Sequence, residues 1–353
     1  MLPANRVLLI INRTAGVGHA EALAESLGSI LENTLSQQAE VRVQLVSSHP
    51  EARACAAEFM GASNAPTLII SGGGGGTLRA VIEGICGEDP SRPLPGPRRV
   101  RVGALRMGSG NVLAKQFGVP RDPMAALLGL LENLKAGRTV RCCVMRCEVW
   151  KSQSHSEIYY AATLGGLGQF GRIPWDLARW HARVPRLHEG AARLFGIERL
   201  TNLEYALALL LRSVSCVLFT NSAEAVAIQF DGQEKHMRLL SGVVMSFPID
   251  ALPFKPDVKV EHEAISVYLI PVRGRLSPLL QMFPRRLMHH TRCIRLEKDQ
   301  RLEIRLTDRD CVKFFLDEDP LTACGHLSFE VAGSIAFVPG PDYQSFAEGE
   351  VSA

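Results

Sequence analysis

The sequence predicts an α/β fold: an N-terminal, doubly wound, mostly parallel α/β domain followed by a β-rich, sandwich-like C-terminal domain. Over the first third of the chain, apolar runs of strand length alternate with stretches of helical apolar spacing. That βαβ order builds a parallel sheet through right-handed crossovers. From about Val140 the pattern changes to short segments of alternating polarity, as half-buried strands require. Three glycine-containing turns also follow predicted strands of the first domain, and open sheets take their ligands at the carboxyl ends of their strands.

The elements follow in order. Arg6 to Asn12 (RVLLIIN) reads as a buried strand, and His19 to Leu31 has helical spacing. Val41 to Val46 alternates as a strand, and His49 to Met60 is a helix. Ser48 and Glu51 form a capping box there, with Pro50 in the first turn. TLIIS is the third strand, LRAVIEGI the third helix, and Arg99 to Leu105 the fourth strand. NVLAKQFG and PMAALLGLLENLKAG are further helices, and Gly87 to Arg99 is a Pro-rich surface loop. In the second domain the strands are CVMRCEVW, VAIQFDGQ, ISVYLIPV, RLEIRLTD and CVKFFLDED. Asp231-Gly232 marks a hairpin. Helical insertions are expected over Pro174 to Leu211 and Arg275 to His290. The boundaries predicted are 1–138 for the α/β domain, completed by 320–345, and 139–319 for the β-rich domain.

Bulk properties narrow the function class. At 353 residues the chain is long enough for two domains. Net charge is only +3, so nucleic acid is not an expected partner. No signal peptide and no spanning segment is visible, which predicts a cytoplasmic protein with, at most, peripheral membrane contact. The nine cysteines are odd in number and not paired by spacing. Buried, reduced thiols are expected, and the cluster Cys142, Cys143 and Cys147 lacks the partner cluster that a zinc site needs.

The glycine turns carry the chemistry. SGGGGGT (Ser71 to Thr77) runs from strand to helix. Backbone N–H groups at a helix N-terminus bind anions, and glycine lets the chain approach a phosphate closely. No Gly-Lys-Ser/Thr follows, so this is not a Walker A loop, and it fits G-x-G-x-x-G poorly. The alternative is a tight turn with no ligand. GALRMGSGN (Gly103 to Asn111) repeats the arrangement, with Ser109 as a donor and Asn111 as either a ligand contact or a helix N-cap. NRTAGVG (Asn12 to Gly18) follows the first strand. Three such turns on adjacent strands suit a nucleoside triphosphate.

In this order the turns resemble the diacylglycerol kinase catalytic fold, whose superfamily includes bacterial lipid kinases, sphingosine kinases and ceramide kinases, with the NAD kinases more distant. NRTAG is similar to the family's NPxxG. Gly73, Gly74, Gly75, Gly76 and Thr77 stand where it has GGDGT, and RMGSGN (Arg106 to Asn111) where it has PxGTxND or PxGSGN. FFLDEDPL (Phe314 to Leu321) stands where it has DGEP. The likeness covers nearly the whole chain.

The resemblance implies ATP and Mg²⁺ as cofactors and a lipid hydroxyl as acceptor. It places nucleotide contacts at Asn12, Thr14, Ser47, Gly73, Gly74, Gly75, Gly76, Thr77, Ser109 and Asn111. It places the catalytic base at Asp319, with Asp317 orienting it, and both as candidate metal ligands. The chain departs from the pattern at Gly75, Ala80, Val112 and Arg106, where the family has Asp, Glu, Asp and Pro. Arg106 and Glu83 are the residues placed to compensate for the lost acid at position 75. Glu261, His262 and Glu263 replace the Asp-Asp-Gly with which the family holds a structural metal.

Two readings compete with lipid kinase: a pseudokinase that binds without transfer, and a soluble kinase of the NAD kinase type. Gly171 to Leu200 and Arg273 to Arg292 mix arginines with aromatic and aliphatic residues. Such segments suit either an anionic bilayer surface, where a lipid substrate would enter, or an ordinary solvated helix face. A homodimer is left open.

Overall fold

The computed structural model describes residues 4–15, 20–35, 39–87, 89, 93–96, 98–108, 111–152, 154–183, 197–218, 223–249, 262–274, 278–279, 291–317 and 319–343. They divide into two units, one formed from Met1–Val144, Lys259–Glu263 and Ala332–Ala353, the other from Met145–Val258 and Ala264–Val331.

The first unit begins with β1 (Arg6–Asn12), α1 (Ala20–Thr34), β2 (Glu40–Val46), α2 (His49–Gly61), β3 (Thr67–Gly73), α3 (Gly75–Cys86), β4 (Val100–Arg106), α4 (Val112–Gln116) and α5 (Pro123–Lys135). β1 pairs in parallel with β2 and β3, and β3 pairs in parallel with β4. The pairing follows the side chains. Leu8 to Ile11 and Leu68 to Ile70 are completely buried, as strands covered on both faces must be. β2, at the end of the strand order, keeps most of its residues half-exposed. α3 is apolar around nearly its whole circumference and is buried from Thr77 to Cys86. Ser48 caps α2 by accepting from Glu51 N. The return bond of this box lands one residue early, on Ser47 N, 2.7 Å from Glu51 Oε2.

The second unit is strand-rich. Its elements are β5 (Val140–Ser152), which begins in the first unit, then β6 (His155–Ala161), β7 (Leu164–Leu167), α6 (Gly168–Gly171), α7 (Ile173–Arg183), α8 (Ile197–Leu218), β8 (Glu224–Phe230), β9 (Gln233–Met245), β10 (Ala264–Pro271), β11 (Arg292–Glu297), β12 (Arg301–Leu306), β13 (Cys311–Leu316), β14 (Asp319–Cys324) and β15 (His326–Phe337). Antiparallel pairing runs β14-β13-β7-β9-β8-β12-β15, with β10 between β9 and β11. The β8–β9 hairpin turns at Asp231 and Gly232, both at positive φ, as a two-residue primed turn needs.

The last residues of β15 return to the first unit. Ala336 and Phe337 pair in parallel with Arg101 and Val102 of β4. Asn133 on α5 then donates to the carbonyls of Pro339 (2.9 Å) and Gly340 (3.0 Å).

The cysteine expectation needs correction. Cys311 and Cys324 stand opposite each other across β13 and β14 and are joined in a disulfide, while the other seven cysteines are free. Register, not spacing, makes this pair, and register is set by the hairpin between them. The expected insertion at Arg275 to His290 falls outside the described residues apart from Pro278 and Leu279.

Candidate nucleotide and phosphoryl-transfer site

In the first unit the structure joins the first two glycine turns through one hydrogen bond. Asn12, the last residue of β1, donates from Nδ2 to Thr77 Oγ1 at 3.1 Å. Its Oδ1 accepts from Thr14 N (2.9 Å) and Thr14 Oγ1 (2.8 Å), an Asx turn that fixes the start of the loop after β1. Thr77 lies in the first turn of α3 and is buried.

The second and third turns pack backbone on backbone. Met107 N and Gly108 N both donate to Gly73 O, at 3.2 and 3.1 Å. A Cβ on Gly108 would fall 2.3 Å from Gly74 Cα, and one on Gly73 would fall 2.3 Å from Thr77 Oγ1. Neither position has room for a side chain. Gly74 is the N-cap of α3 and makes no side-chain cap bond. The first amides of α3, at Gly75, Gly76 and Thr77, therefore open a helix that no side chain caps, with Gly74 to Gly76 half-exposed. Uncapped N–H groups, glycine bareness and the positive end of the helix dipole together suit a phosphate.

Asn111 is buried in the left-handed conformation, φ 47°. As N-cap of α4 it makes no side-chain cap bond. Its Nδ2 instead donates back to Gly108 O and closes the turn. Ser47 is exposed, with its amide committed to Glu51. Ser109 lies outside the described residues.

Both compensating residues have protein partners. Arg106 Nη1 donates to Val119 O at 3.3 Å. Glu83 is buried two turns into α3, with Arg79 Nε 3.6 Å from one carboxylate oxygen and His49 Nε2 3.5 Å from the other. Arg79 also donates to His49 Nε2, at 3.3 Å from Nε and 3.1 Å from Nη2. A nitrogen accepting from a guanidinium carries no proton, so His49 is neutral in this arrangement. Burial, then the charges of Arg79 and Arg53, push its pKa down to about 4. Glu83 is thus held by this cluster and does not replace an acid at position 75.

The acidic pair belongs to the second unit. Asp317 sits at the turn between β13 and β14 at φ 44° and is buried. Its Oδ2 accepts from Ala162 N (2.9 Å), and its Oδ1 from Thr163 N (3.0 Å), Leu164 N (3.1 Å) and the Thr163 hydroxyl. Four donors on one carboxylate make a clasp between the hairpin turn and the start of β7. Asp319 opens β14 opposite Leu316 and is half-exposed. Glu318 lies outside the described residues. Trp175 Nε1 donates to Phe314 O at 3.3 Å, and Lys313 Nζ lies 4.6 Å from the centre of the Trp175 ring. No local pattern announces the clasp, because its partners are more than 150 positions away.

The described residues fit a nucleotide's phosphates better than they fit Mg²⁺. Gly75 has no side chain, Asp317 is saturated by protein donors, and no group of three or more His, Cys, Asp or Glu residues is placed to hold a metal among the described residues. Near the loop of Glu261, His262 and Glu263, Glu261 lies outside the described residues, and Glu263 Oε1 accepts from Ser334 Oγ at 2.7 Å.

Comparison with known proteins agrees with the glycine turns. The family model for the diacylglycerol kinase catalytic domain matches residues 6–145. A crystal structure of a diacylglycerol kinase from Bacillus anthracis str. Sterne superposes with a TM-score of 0.60 at 14% identity, over 97% of this chain and 99% of its own. A second structure from that organism, described as a candidate diacylglycerol kinase, gives 0.59 at 14% identity over 96% and 99%. A yeast NADH kinase complexed with NADH is less similar, with a TM-score of 0.47 at 11% identity over 95% and 84%. No curated protein matches the sequence. The bacterial structures show the fold, an α/β sheet region followed by a strand-rich region. Over residues 6–145, this chain is similar to the diacylglycerol kinase catalytic domain family.

Proposed function

We propose that the protein transfers the γ-phosphate of ATP to the hydroxyl of a lipid, of the diacylglycerol or sphingoid type. The observation that carries this is the pair of interlocked glycine turns, with Gly108 packed on Gly74 and the uncapped amides of α3 beside them. The match of residues 6–145 to a kinase family supports the reading. Fold likeness alone would not. In this reading Gly74 to Thr77 receive the phosphates through backbone N–H groups, and Asn12 and Thr14 shape the loop beside them. Asp319 takes the proton from the acceptor hydroxyl as its oxygen attacks the γ-phosphorus and ADP leaves. Asp317 fixes the turn that carries Asp319 and is a positioning residue. No step is assigned to Mg²⁺.

One observation favours a second reading. Gly75 stands where the family pattern has Asp, and Glu83, the one acid of α3, is held by Arg79 and His49. Loss of one catalytic group commonly removes two to four orders of magnitude in rate, roughly. A protein that binds nucleotide without transferring phosphate follows from the same geometry.

Incubation with labelled ATP and a lipid extract separates the two, with Gly75→Asp and Asp319→Ala in parallel. A labelled lipid made by the native protein and lost in Asp319→Ala supports transfer. Product from Gly75→Asp alone supports the binding-only reading. No nucleotide binding at all overturns both.

A further inference from the structure

The four positions at which this chain departs from the kinase pattern around the glycine turns all lie in the first unit, and all shift charge the same way. Gly75, Ala80 and Val112 each stand in place of an acid, and Arg106 in place of a proline. Relative to the pattern, the turns are therefore four elementary charges more positive, as much as two divalent cations would bring. The fold gathers these positions. Gly75 opens α3, Ala80 is buried in its second turn, and Val112 opens α4. Arg106 ends β4 directly opposite Gly73, beside the contact of Gly108 on Gly74.

The turns hold no other acid. NRTAGVG, SGGGGGT and GALRMGSGN contain no Asp or Glu, and neither does α4. Glu83, the one acid of α3, lies between Arg79 and His49. At the starts of the neighbouring helices, Glu21 faces Arg13 at 3.8 Å, and Glu51 accepts from Ser47 N at 2.7 Å. Mg²⁺ that accompanies a nucleotide is held by one or two carboxylates together with the phosphates, and these turns offer it none. The added cation is different. Arg106 Nη1 donates to the neutral carbonyl of Val119, a bond that takes nothing from the guanidinium's charge. Lys115 brings a further positive charge in the last turn of α4.

We infer that this site takes a nucleoside triphosphate as the metal-free anion, with the protein's own cations and the first amides of α3 supplying the positive charge that Mg²⁺ brings elsewhere. The inference rests on the nucleotide reading shared by the transfer and binding-only forms of the proposed function, and adds the ionic form of the ligand. Coulomb's law gives the sign. A bare triphosphate carries about twice the negative charge of its Mg²⁺ complex, so each added positive charge favours the bare anion more. An acid at position 75, 80 or 112 acts in the opposite sense, repelling the bare anion and attracting the metal. The four departures thus weaken the hold on one ligand and strengthen it on the other. Loss of the acids alone would not account for Arg106. The cradle itself stays closed to side chains at Gly73 and Gly108, so the backbone still meets the phosphates directly.

The test is calorimetric titration of the full chain with ATP at constant ionic strength, once with excess MgCl₂ and once with EDTA. We expect tighter binding in EDTA, by about threefold or more. Arg106→Gln, which still carries an N–H donor, should weaken binding in EDTA about tenfold and binding in Mg²⁺ by less. Gly75→Asp/Val112→Asp places acids at two helix starts, where they suit the dipole, and should reverse the preference. Urea midpoints matching the native protein's show that the variants are folded. Equal or tighter binding of the native protein with Mg²⁺ overturns the inference and leaves the nucleotide reading standing. So does a double-acid variant that prefers EDTA as strongly as the native protein does. No binding of ATP in either buffer sinks the nucleotide reading and the inference with it.

Discussion

Asn12 and Thr77 are 65 residues apart in sequence and share a 3.1 Å hydrogen bond from Nδ2 to Oγ1. The bond ties the end of the first strand to the first turn of the helix after the glycine run. Removing it should leave the fold almost intact, because a single side-chain bond contributes about 1 kcal/mol. It should nonetheless free both Thr77 and the Asx turn at Thr14. Asn12→Ala is expected to weaken ATP binding about tenfold while lowering unfolding stability by about 1 kcal/mol or less. Calorimetric titration with ATP and a urea curve on the same protein check this.

Asp317 and Asp319 should separate in opposite ways. Asp317→Asn places an amide NH₂ among donors that need an acceptor, at a cost of about 2–3 kcal/mol. Asp319→Ala should change stability by no more than about 0.5 kcal/mol and abolish any phosphate transfer. Urea midpoints and transfer assays on both variants decide it. If Asp317→Asn were as stable as the native protein, the clasp would not hold the hairpin.

His49 gives the pH dependence. Its folded-state pKa of about 4 lies below the ordinary imidazole value near 6.5. As pH falls through 6.5, roughly, the unfolded chain takes up a proton that the folded protein refuses. Stability is therefore full above that pH, falls between about 6.5 and 4, and levels off below. With His49 partly exposed, the loss should be of the order of 2 kcal/mol. His49→Gln, which can still accept from Arg79, should flatten this slope in unfolding curves taken across the window.

The disulfide is directly countable. Denatured without reductant, the protein should titrate seven thiols, and nine after reduction. The linked residues are 13 apart, and closing a loop of that size stabilises by about 3 kcal/mol. Reduced native protein and oxidised Cys311→Ser should therefore unfold at the same urea concentration, both below the oxidised native protein.

What the sequence disclosed and what it hid divide along physical lines. β1 and β3 were legible because burial on both faces leaves an unbroken apolar run. Asp231-Gly232 was legible because its turn demands positive φ. By sequence Asn111 suits a ligand contact or a cap, whereas its left-handed backbone sends its side chain back to Gly108. Asn tolerates that conformation, but nothing local announces it. By sequence Glu83 is a spare acid, and its burial with Arg79 and His49 comes only from the packing of α2 on α3. The Asp317 clasp and the cysteine pair were hidden for one reason. Each depends on which strand lies opposite, and periodicity does not say.

The β13–β14 hairpin is consequently fastened at both ends, by the disulfide at its open end and by the four-donor clasp at its turn. It works as a ruler with two fixed marks. A chain with one residue inserted or removed between Cys311 and Cys324 could keep one mark only by losing the other. A one-residue slip in such a ribbon also reverses the face of every side chain, Asp319 included. Length in this segment is therefore far less negotiable than composition. Substitutions on its exposed positions should be absorbed quietly, whereas a single-residue deletion should cost the protein both its acid and its anchor.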